Sequence, residues 1–407
     1  MKKIVLKNGV TVVIEEMTGI RSVAFGFFVK NGSRNELLKE NGISHFIEHM
    51  LFKGTKNRTA TEIATEIDMA GGQLNAYTTK EYTCYYTRVL DESFEKAFEI
   101  LSDMYFNSLF DDEEIKKELS VIIEEINMYE DTPDDLVYEQ LQLEIWKNNS
   151  LGRAILGTKE SIARFTHNDF LNYMEEHYTP ENTVISVAGN VSVEKVTEVV
   201  EKYFSHWENK RKMPLIEAPI YVPCNILREK DIEQEHICIS YPGLSNTDDD
   251  FLTLSVLNTV VGGGMSSILF QKIREEMGLA YTVYSYNSGF FDTGLFTVYM
   301  GLNPENGKRA VETVRQELNE LKNGNFSQEM VEKSKLQLKN NYLLSLESTS
   351  SVMSNMGRSQ LLKNNVLTTE QLINKVDLIT KERVTALAKR IFDTEKESIS
   401  IVTKKTI

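Results

Sequence analysis

Near the N-terminus, two histidines and a glutamate are spaced in a way that could hold and use a metal ion. The run His45-Phe46-Ile47-Glu48-His49 puts its two imidazoles one turn apart on one face of a helix, so both can reach the same ion. Glu48 falls on that side as well, where a carboxylate beside a metal suits a general base acting on water. Composition alone would give this pattern on the order of 0.01 times in such a chain, which disfavours the alternative of two exposed helix histidines with an acidic neighbour.

A hydrolytic zinc site also needs a third protein ligand, and the helix predicted from Phe110 to about Glu130 offers several carboxylates. Glu125 lies on the predicted buried stripe of that helix, because apolar or aromatic side chains occupy its i±3 and i±4 positions, namely Val121, Ile122, Met128 and Tyr129. Glu118 is two turns earlier on the stripe, whereas Glu124 faces a more polar side. Since a buried carboxylate needs a cation, we predict Glu125 as the third ligand of one zinc ion per chain.

Glu118 admits more than one role. We predict it as a supporting acid behind the ligands. The alternatives are a replacement ligand for the same zinc, or a partly exposed acid at the edge of the stripe.

The elements that must position these residues occur twice along the chain. Each half has a strand, a helix, two aromatic-rich strands and a long helix, and it closes with one further strand and helix. The matching segments include 23–29 and 236–241 for the strand, 42–52 and 265–277 for the first helix, and 110–113 and 326–329 for the start of the long helix. We predict an α+β fold with two homologous domains, each a mostly antiparallel sheet packed against long helices.

The predicted domains are 1–212, with the zinc site, and 225–407, without metal. A linker at 213–224 joins them and contains three of the seven prolines, Pro214, Pro219 and Pro223. The alternative for this stretch is a surface loop inside one large domain.

The duplication provides an internal control for the metal site. Aligning Phe110 with Phe326 puts Ser334 opposite Glu118 and Asn341 opposite Glu125. The fold is therefore expected to form without these carboxylates, which favours a functional reason for them and a single metal site per chain.

Charge and cysteine content narrow the classes of partner and compartment. The 407-residue chain has a net charge of −15, which disfavours nucleic acids and anionic membrane surfaces as partners. Three cysteines cannot build a disulfide framework. The first apolar stretch stops at Lys7, too early for a signal peptide, and no run has the length of a membrane helix. We expect a cytoplasmic protein.

Taken together, the motifs resemble the pitrilysin/insulinase family of zinc peptidases. The resemblance rests on H-F-I-E-H-M-L-F-K-G-T at 45–55, on E-E-I-x-x-E at 113–118 and on the position of Glu125, and it covers nearly the whole chain. H-x-x-E-H is the inverzincin signature. The family implies His45, His49 and Glu125 as zinc ligands, Glu48 as general base and Glu118 as a supporting acid, within a clamshell built from such domains.

The branch resembled most is the one that includes the catalytic subunit of the mitochondrial processing peptidase. The short glycine run 262–264 favours that catalytic lineage over its non-catalytic partner lineage. The lack of an Arg-rich, acid-poor transit peptide disfavours a mitochondrial matrix enzyme.

The resemblance implies further site residues. Arg274 and Tyr281 match a pair that the family carries in its metal-free half, where donors to an oxyanion and to the peptide backbone are needed; the alternative is a purely structural pair. The run 71–77 matches the edge strand on which family members align their substrate, which implies substrate contacts at Asn75, Ala76 and Tyr77. The alternative there is a plain hairpin turn and core strand, above all for Gln73 and Leu74.

We therefore predict a zinc metalloendopeptidase that hydrolyses peptides or unfolded segments in an enclosed chamber. The alternative is a non-catalytic structural or partner subunit on the same scaffold, and a third reading is a metal-dependent hydrolase of a non-peptide substrate. Because this chain carries both the zinc motif and the Arg274/Tyr281 pair, the resemblance implies an active homodimer without an unlike partner. Whether the pair completes the site of its own chain or of the neighbour stays open, and the family's usual arrangement favours the neighbour.

Overall fold

The computed structural model of the protein describes residues 1–208 and 216–404. Residues 1–208 form six strands and eight α-helices. The strands are β1 Lys2–Val5, β2 Thr11–Glu16, β3 Ser22–Val29, β4 Gln73–Thr78, β5 Thr83–Leu90 and β6 Thr183–Gly189. The helices are α1 Ile43–Met50, α2 Ala60–Met69, α3 Phe94–Asn107, α4 Asp112–Asp131, α5 Pro133–Ile145, α6 Lys159–Ile162, α7 His167–His177 and α8 Val193–Phe204.

Residues 216–404 contain much of the same succession of elements, but their last strand follows their last helix. The strands are β7 Asn225–Lys230, β8 Glu235–Pro242, β9 Ala280–Gly289, β10 Gly294–Leu302 and β11 Ser398–Lys404. The α-helices are α9 Phe251–Gly262, α10 Gly307–Lys322, α11 Gln328–Ser345, α12 Thr349–Lys363, α13 Thr369–Asp377 and α14 Lys381–Ile391. Where an ordinary helix was predicted at 265–277, the structure has a π-helical segment, Phe270–Glu276.

Two sheets show the duplication at the level of topology. The first has the order β1-β2-β6-β3-β5-β4 and the second β7-β11-β8-β10-β9. In each, one pair of neighbouring strands is parallel, β2 with β6 and β7 with β11, and the other described pairs are antiparallel. Apart from the extra strand β1, the two orders correspond strand for strand. The predicted α+β fold of two homologous, mostly antiparallel domains is confirmed.

The chain divides into two compact units that are discontinuous in sequence. Unit 1 is Met1–Ile126, Arg153–Ile216 and Leu344–Val366, and unit 2 is Asn127–Gly152, Glu217–Leu343 and Leu367–Ile407. The division therefore differs from the predicted contiguous halves by two exchanged segments, 127–152 and 344–366. The predicted boundary at 212 and the first part of the predicted linker, 213–215, lie outside the described residues.

The two segments are exchanged because each sheet is apolar on both faces and needs a further helix to cover its second face. In unit 1, Phe25 and Phe27 of β3 pack on aromatic rings of α3 and α8, while Phe28 on the opposite face contacts α12. A Cβ on Gly357 of α12 would overlap the Phe28 ring, so a glycine is needed at this close approach. Helix α12 therefore covers the second face of this sheet.

Unit 2 uses the equivalent helix of the first half in the same way. Helix α5 packs on β8 and β11, and the fully buried Trp146 that follows it joins Cys238 and Val402 in one apolar cluster. The described part of the predicted linker has no helix or strand and packs on the same unit: the Val222 N–H donates to the Ile145 carbonyl (3.0 Å), and the Tyr221 hydroxyl lies 2.8 Å from Ser398 Oγ.

In the described ranges, 1–208 and 216–404, no helix combines the length and the apolarity needed to cross a lipid bilayer.

Candidate metal centre

Helix α1 carries the histidine motif, and its sequence gives it one apolar face and one face with ionisable side chains. Ile43, Phe46, Ile47 and Met50 are buried in the core of unit 1. Gly42 precedes the helix with φ +97°, and a Cβ there would lie 2.7 Å from the Leu156 carbonyl oxygen, so only glycine fits the turn. The remaining face presents His45, Glu48 and His49 away from the core.

A buried carboxylate holds the start of this helix. Glu36 Oε2 accepts a hydrogen bond from the Gly42 N–H (2.8 Å), and Oε1 accepts one from the Ser44 N–H (3.0 Å). Asn41 Nδ2 donates to the same group at 3.1 Å. Burial raises the pKa of Glu36 to about 7, although these hydrogen bonds oppose the rise. The buried Glu36 carboxylate thereby holds the first turn of α1 in place.

The three predicted ligands converge at a spacing that suits one ion. Glu125 Oε2 lies 3.7 Å from His45 Nε2 and 3.6 Å from His49 Nε2, and the ligand atoms of all three lie within 4.8 Å of one another. Both separations exceed normal hydrogen-bond length. Zinc bonds of about 2.1 Å in tetrahedral geometry keep ligand atoms roughly 3.4 Å apart, so the three side chains fit a zinc ion.

The protonation states favour metal binding. Burial, with a smaller contribution from the neighbouring His49, lowers the pKa of His45 to about 3, so the imidazole is neutral and its nitrogen can ligate. Burial also raises the pKa of Glu125, with a smaller contribution from the Glu118 carboxylate. A cation between these groups would stabilise the ionised form of Glu125.

Glu118 contacts one of the predicted ligands, His49, on the side away from Glu125. Its Oε1 lies 2.7 Å from His49 Nδ1, and its Oε2 lies 2.5 Å from the Lys53 ammonium. Burial opposes ionisation of Glu118, but the hydrogen bonds from His49 and Lys53 outweigh it and lower the pKa. An ionised Glu118 accepts the Nδ1–H of His49, which leaves Nε2 with its lone pair on the side of Glu125.

Glu48 stands apart from the ligand group. Its Oε2 accepts a hydrogen bond of 2.5 Å from the Thr78 hydroxyl at the end of β4. Burial raises its pKa, and the Thr78 hydrogen bond partly offsets the rise. Among the described residues, the group able to hold a metal consists of His45, His49 and Glu125. Glu48 is outside this group, as expected for a general base that is not a metal ligand.

The predicted buried stripe on α4 is correct for Glu118, reaches Glu125 only at its edge, and is wrong for two of its apolar members. Ile115, Glu118 and Ile122 are buried, but Val121 and Met128 are 51% and 59% exposed. At roughly 100° per residue, these two lie on the outer side of Glu125, which sits at the boundary with its side chain 28% exposed. Because i±3 and i±4 neighbours span a wide arc, they do not all share the buried face.

The predicted substrate strand is the outer strand of its sheet. Among the described strands β4 pairs with β5 alone, and it packs beside α1. Asn75 is exposed, Ala76 is buried, and the half-buried Tyr77 ring packs against Tyr82 and Tyr86. No described strand pairs with the outer edge of β4, and the Ala76 N–H donates to the Asn75 side-chain oxygen at 2.8 Å.

Arg274 and Tyr281 lie in unit 2 and are close to each other. The Arg274 guanidinium carbon is 5.1 Å from the centre of the Tyr281 ring and 4.9 Å from that of Phe270. Tyr281 is 71% exposed. Arg274 belongs to the π-helical segment, an uncommon helix type that is frequent at functional sites.

Three residues that contact the site were not identified from the sequence. Lys53 follows His49 by one helical turn, a spacing that could have suggested its contact with the same group. Thr78 directly follows the predicted strand residues, but its side-chain direction depends on the pairing of β4. Glu36 reaches backbone groups of a helix that begins several residues later, and the sequence carries no signal for that contact.

Comparisons with known proteins agree with this description. Residues 11–159 match the family profile described as "Insulinase (Peptidase family M16)", and residues 164–338 match "Peptidase M16 inactive domain". A relative from Bacillus subtilis strain 168, named "Uncharacterized zinc protease YmxG", is 44% identical over 402 residues, which is 99% of this chain and 98% of the relative.

Solved structures share the fold. "The crystal structure of a protease from Helicobacter pylori" aligns with a TM-score of 0.92 at 23% identity over 99% of both chains. A chain of "Complex III2 from Candida albicans, Inz-5 bound" aligns with a TM-score of 0.87 at 21% identity, over 99% of this chain and 95% of that one. The near-complete match to a relative named as a zinc protease decides the family, and the prediction from the motifs is confirmed: the chain belongs to the insulinase family of peptidases, family M16.

Proposed function

We propose that the protein is a zinc-dependent endopeptidase that cleaves peptides or unfolded protein segments. The observation that carries the proposal is the convergence of His45, His49 and Glu125 within 4.8 Å, with a fourth acidic group, Glu48, on the same helix but outside that set. Its relatives are named zinc proteases, which supports the same assignment.

Each of the site residues has a role in this proposal. His45, His49 and Glu125 would hold zinc, and Glu118 supports His49 through its Nδ1–H. Bound zinc would supply a Lewis acid that polarises the peptide carbonyl, so that water can hydrolyse the peptide bond. Glu48 accepts a proton from the attacking water and delivers it to the leaving amine.

The substrate is proposed to align on the free edge of β4. An extended peptide can add as a strand beside Asn75, Ala76 and Tyr77, with Ala76 supplying the outward-facing backbone groups. Main-chain pairing of this kind accepts many sequences and requires an unfolded segment, which agrees with a peptide or unfolded-protein substrate.

The test is a comparison of the wild type with Glu48→Gln and Glu124→Gln. Glu48→Gln keeps the shape of the side chain but removes the proton acceptor, so hydrolysis of a peptide library should fall about 10²- to 10⁴-fold with one zinc per chain retained. Glu124 is exposed on α4, so Glu124→Gln should change neither quantity. Parallel loss of zinc and activity in Glu48→Gln would make Glu48 a ligand. A zinc-loaded wild type that cleaves no peptide would instead indicate a non-catalytic scaffold.

We further propose that the active form is a homodimer in which Arg274 and Tyr281 act on the transition state. This rests on the family resemblance, and subunit mixing tests it. Inactive Glu48→Gln and inactive Tyr281→Phe should recover partial activity after subunit exchange if the pair completes the neighbour's site. Exchange without recovery would indicate sites completed within one chain, and an active monomer would overturn the dimer.

A further inference from the structure

The hydroxyl of Thr78 is a direct link between the edge strand β4 and the carboxylate of Glu48. Thr78 Oγ1 donates to Glu48 Oε2 at 2.5 Å. A hydroxyl carries one proton, so this donation uses it fully. Hydrogen bonds to an ionised acceptor are roughly twice as strong as neutral ones, which makes the contact an effective constraint on the carboxylate.

The backbone around Thr78 is held firmly. Thr78 is opposite Thr83 in the last pair of the β4–β5 ladder. The next residue closes the hairpin, because the Thr79 N–H donates to the Tyr82 carbonyl at 2.8 Å. On the other side, Thr83 donates its hydroxyl proton to the Asn31 carbonyl at 2.9 Å. The pairing of β4 with β5 therefore fixes the position of the Thr78 hydroxyl that donates to Glu48.

We propose that Thr78 is a positioning residue: it holds one carboxylate oxygen of Glu48 so that the other is presented to the attacking water. The inference rests on the proposed peptidase function and deepens it. Since Thr78 also ends the strand on which the substrate is proposed to pair, the orientation of the base is tied to the strand that receives the peptide.

Thr87 allows the proposed positioning role of the Thr78 hydroxyl to be separated from a purely structural role. Thr87, on the adjacent strand β5, is fully buried and its hydroxyl has no hydrogen-bond partner among the described residues. The sheet therefore accepts a threonine without using its hydroxyl. Thr87→Val is a matched control, because it makes the same chemical change in the same sheet without any contact to Glu48.

The experiment compares Thr78→Val, Thr78→Ser and Thr87→Val in the full-length zinc-loaded enzyme. Zinc content, melting temperature, kcat and KM are measured on one peptide substrate. For Thr78→Val we expect one zinc per chain, an unchanged KM and a kcat reduced about 10- to 100-fold. Thr78→Ser keeps the donor, so its kcat should stay within about threefold of the wild type, and Thr87→Val should match the wild type.

Three outcomes decide between the readings. If Thr78→Val matches Thr87→Val in an active enzyme, the positioning role is wrong while the peptidase function stands. If Thr78→Ser loses as much kcat as Thr78→Val, the methyl group matters and not the hydroxyl, which also overturns the role. A wild type without peptidase activity overturns both proposals. Should Thr78→Val melt before the assay temperature, Thr78→Ala replaces it with the same expected result.

Discussion

Replacing Lys53 with methionine should weaken zinc binding without touching a ligand. The Lys53 ammonium lies 2.5 Å from Glu118 Oε2, and the other oxygen of Glu118 lies 2.7 Å from His49 Nδ1. Without Lys53, the Glu118 side chain, only 6% exposed, loses one of the two partners that keep it ionised. It then holds the Nδ1–H of His49 less firmly, and His49 becomes a poorer ligand.

The magnitude follows from the contacts. A hydrogen bond to a charged group contributes about 1.5–3 kcal/mol, which corresponds to a factor of roughly 10 to 100 in affinity. Lys53 is 30% exposed, so water partly replaces it, and it acts on the metal only through Glu118. We therefore expect a loss of about tenfold for Lys53→Met. Glu118→Gln changes the group that contacts His49 and should reach the upper end of the range.

Chelator competition at fixed free zinc measures the affinity directly. Lys53→Arg keeps the charge and should stay close to the wild type. Lys56→Met makes the same change at an exposed lysine three positions later and serves as the control. A Lys53→Met enzyme that binds zinc as tightly as the Lys56→Met enzyme would refute the chain of contacts from Lys53 to the metal.

Three further results are expected. Glu125→Gln should release zinc, measured by metal analysis, whereas Glu124→Gln retains it. The pKa of Glu36 is raised to about 7 in the folded state, so the native protein binds this proton more tightly than the unfolded chain. The protonated carboxyl therefore contributes more to stability as the pH falls from 7 towards 4.5. In urea titrations, the wild type should gain up to about 3 kcal/mol of unfolding free energy relative to Glu36→Gln between pH 8 and pH 5. Gly357→Ala should lower the unfolding free energy by about 1–3 kcal/mol through overlap with Phe28, although the same change in an open helix is stabilising.

The convergence of His45, His49 and Glu125 could be predicted from the sequence because the information for it is local. The spacing of His45, Glu48 and His49 defines one helical face, and the seven-residue spacing of Glu118 and Glu125 defines another. The internal duplication then showed which carboxylates the fold does not need. The predicted width of the buried stripe on α4 is wrong, since helical periodicity gives the direction of a side chain but not how far the neighbouring surface extends.

The remaining features depend on contacts between distant parts of the chain. Thr78 meets Glu48 because β4 pairs beside α1, and Glu36 meets Ser44 because a loop folds back under the helix. The exchange of α5 and α12 is of the same kind. Their apolar faces are visible in the sequence, but nothing local specifies which of two similar sheets each one covers.

The exchange of α12 sets a constraint on synthesis of the protein. The strands and helices of unit 1 other than α12 have been translated by residue 204, but the helix that covers the second face of its sheet spans Thr349–Lys363. At 5–20 residues per second, the ribosome needs about 8 to 30 seconds to bridge that gap. Throughout that interval the apolar face around Ala24, Phe28 and Val184 lacks its native cover, so the nascent chain presents a chaperone-binding surface that disappears only when α12 leaves the exit tunnel.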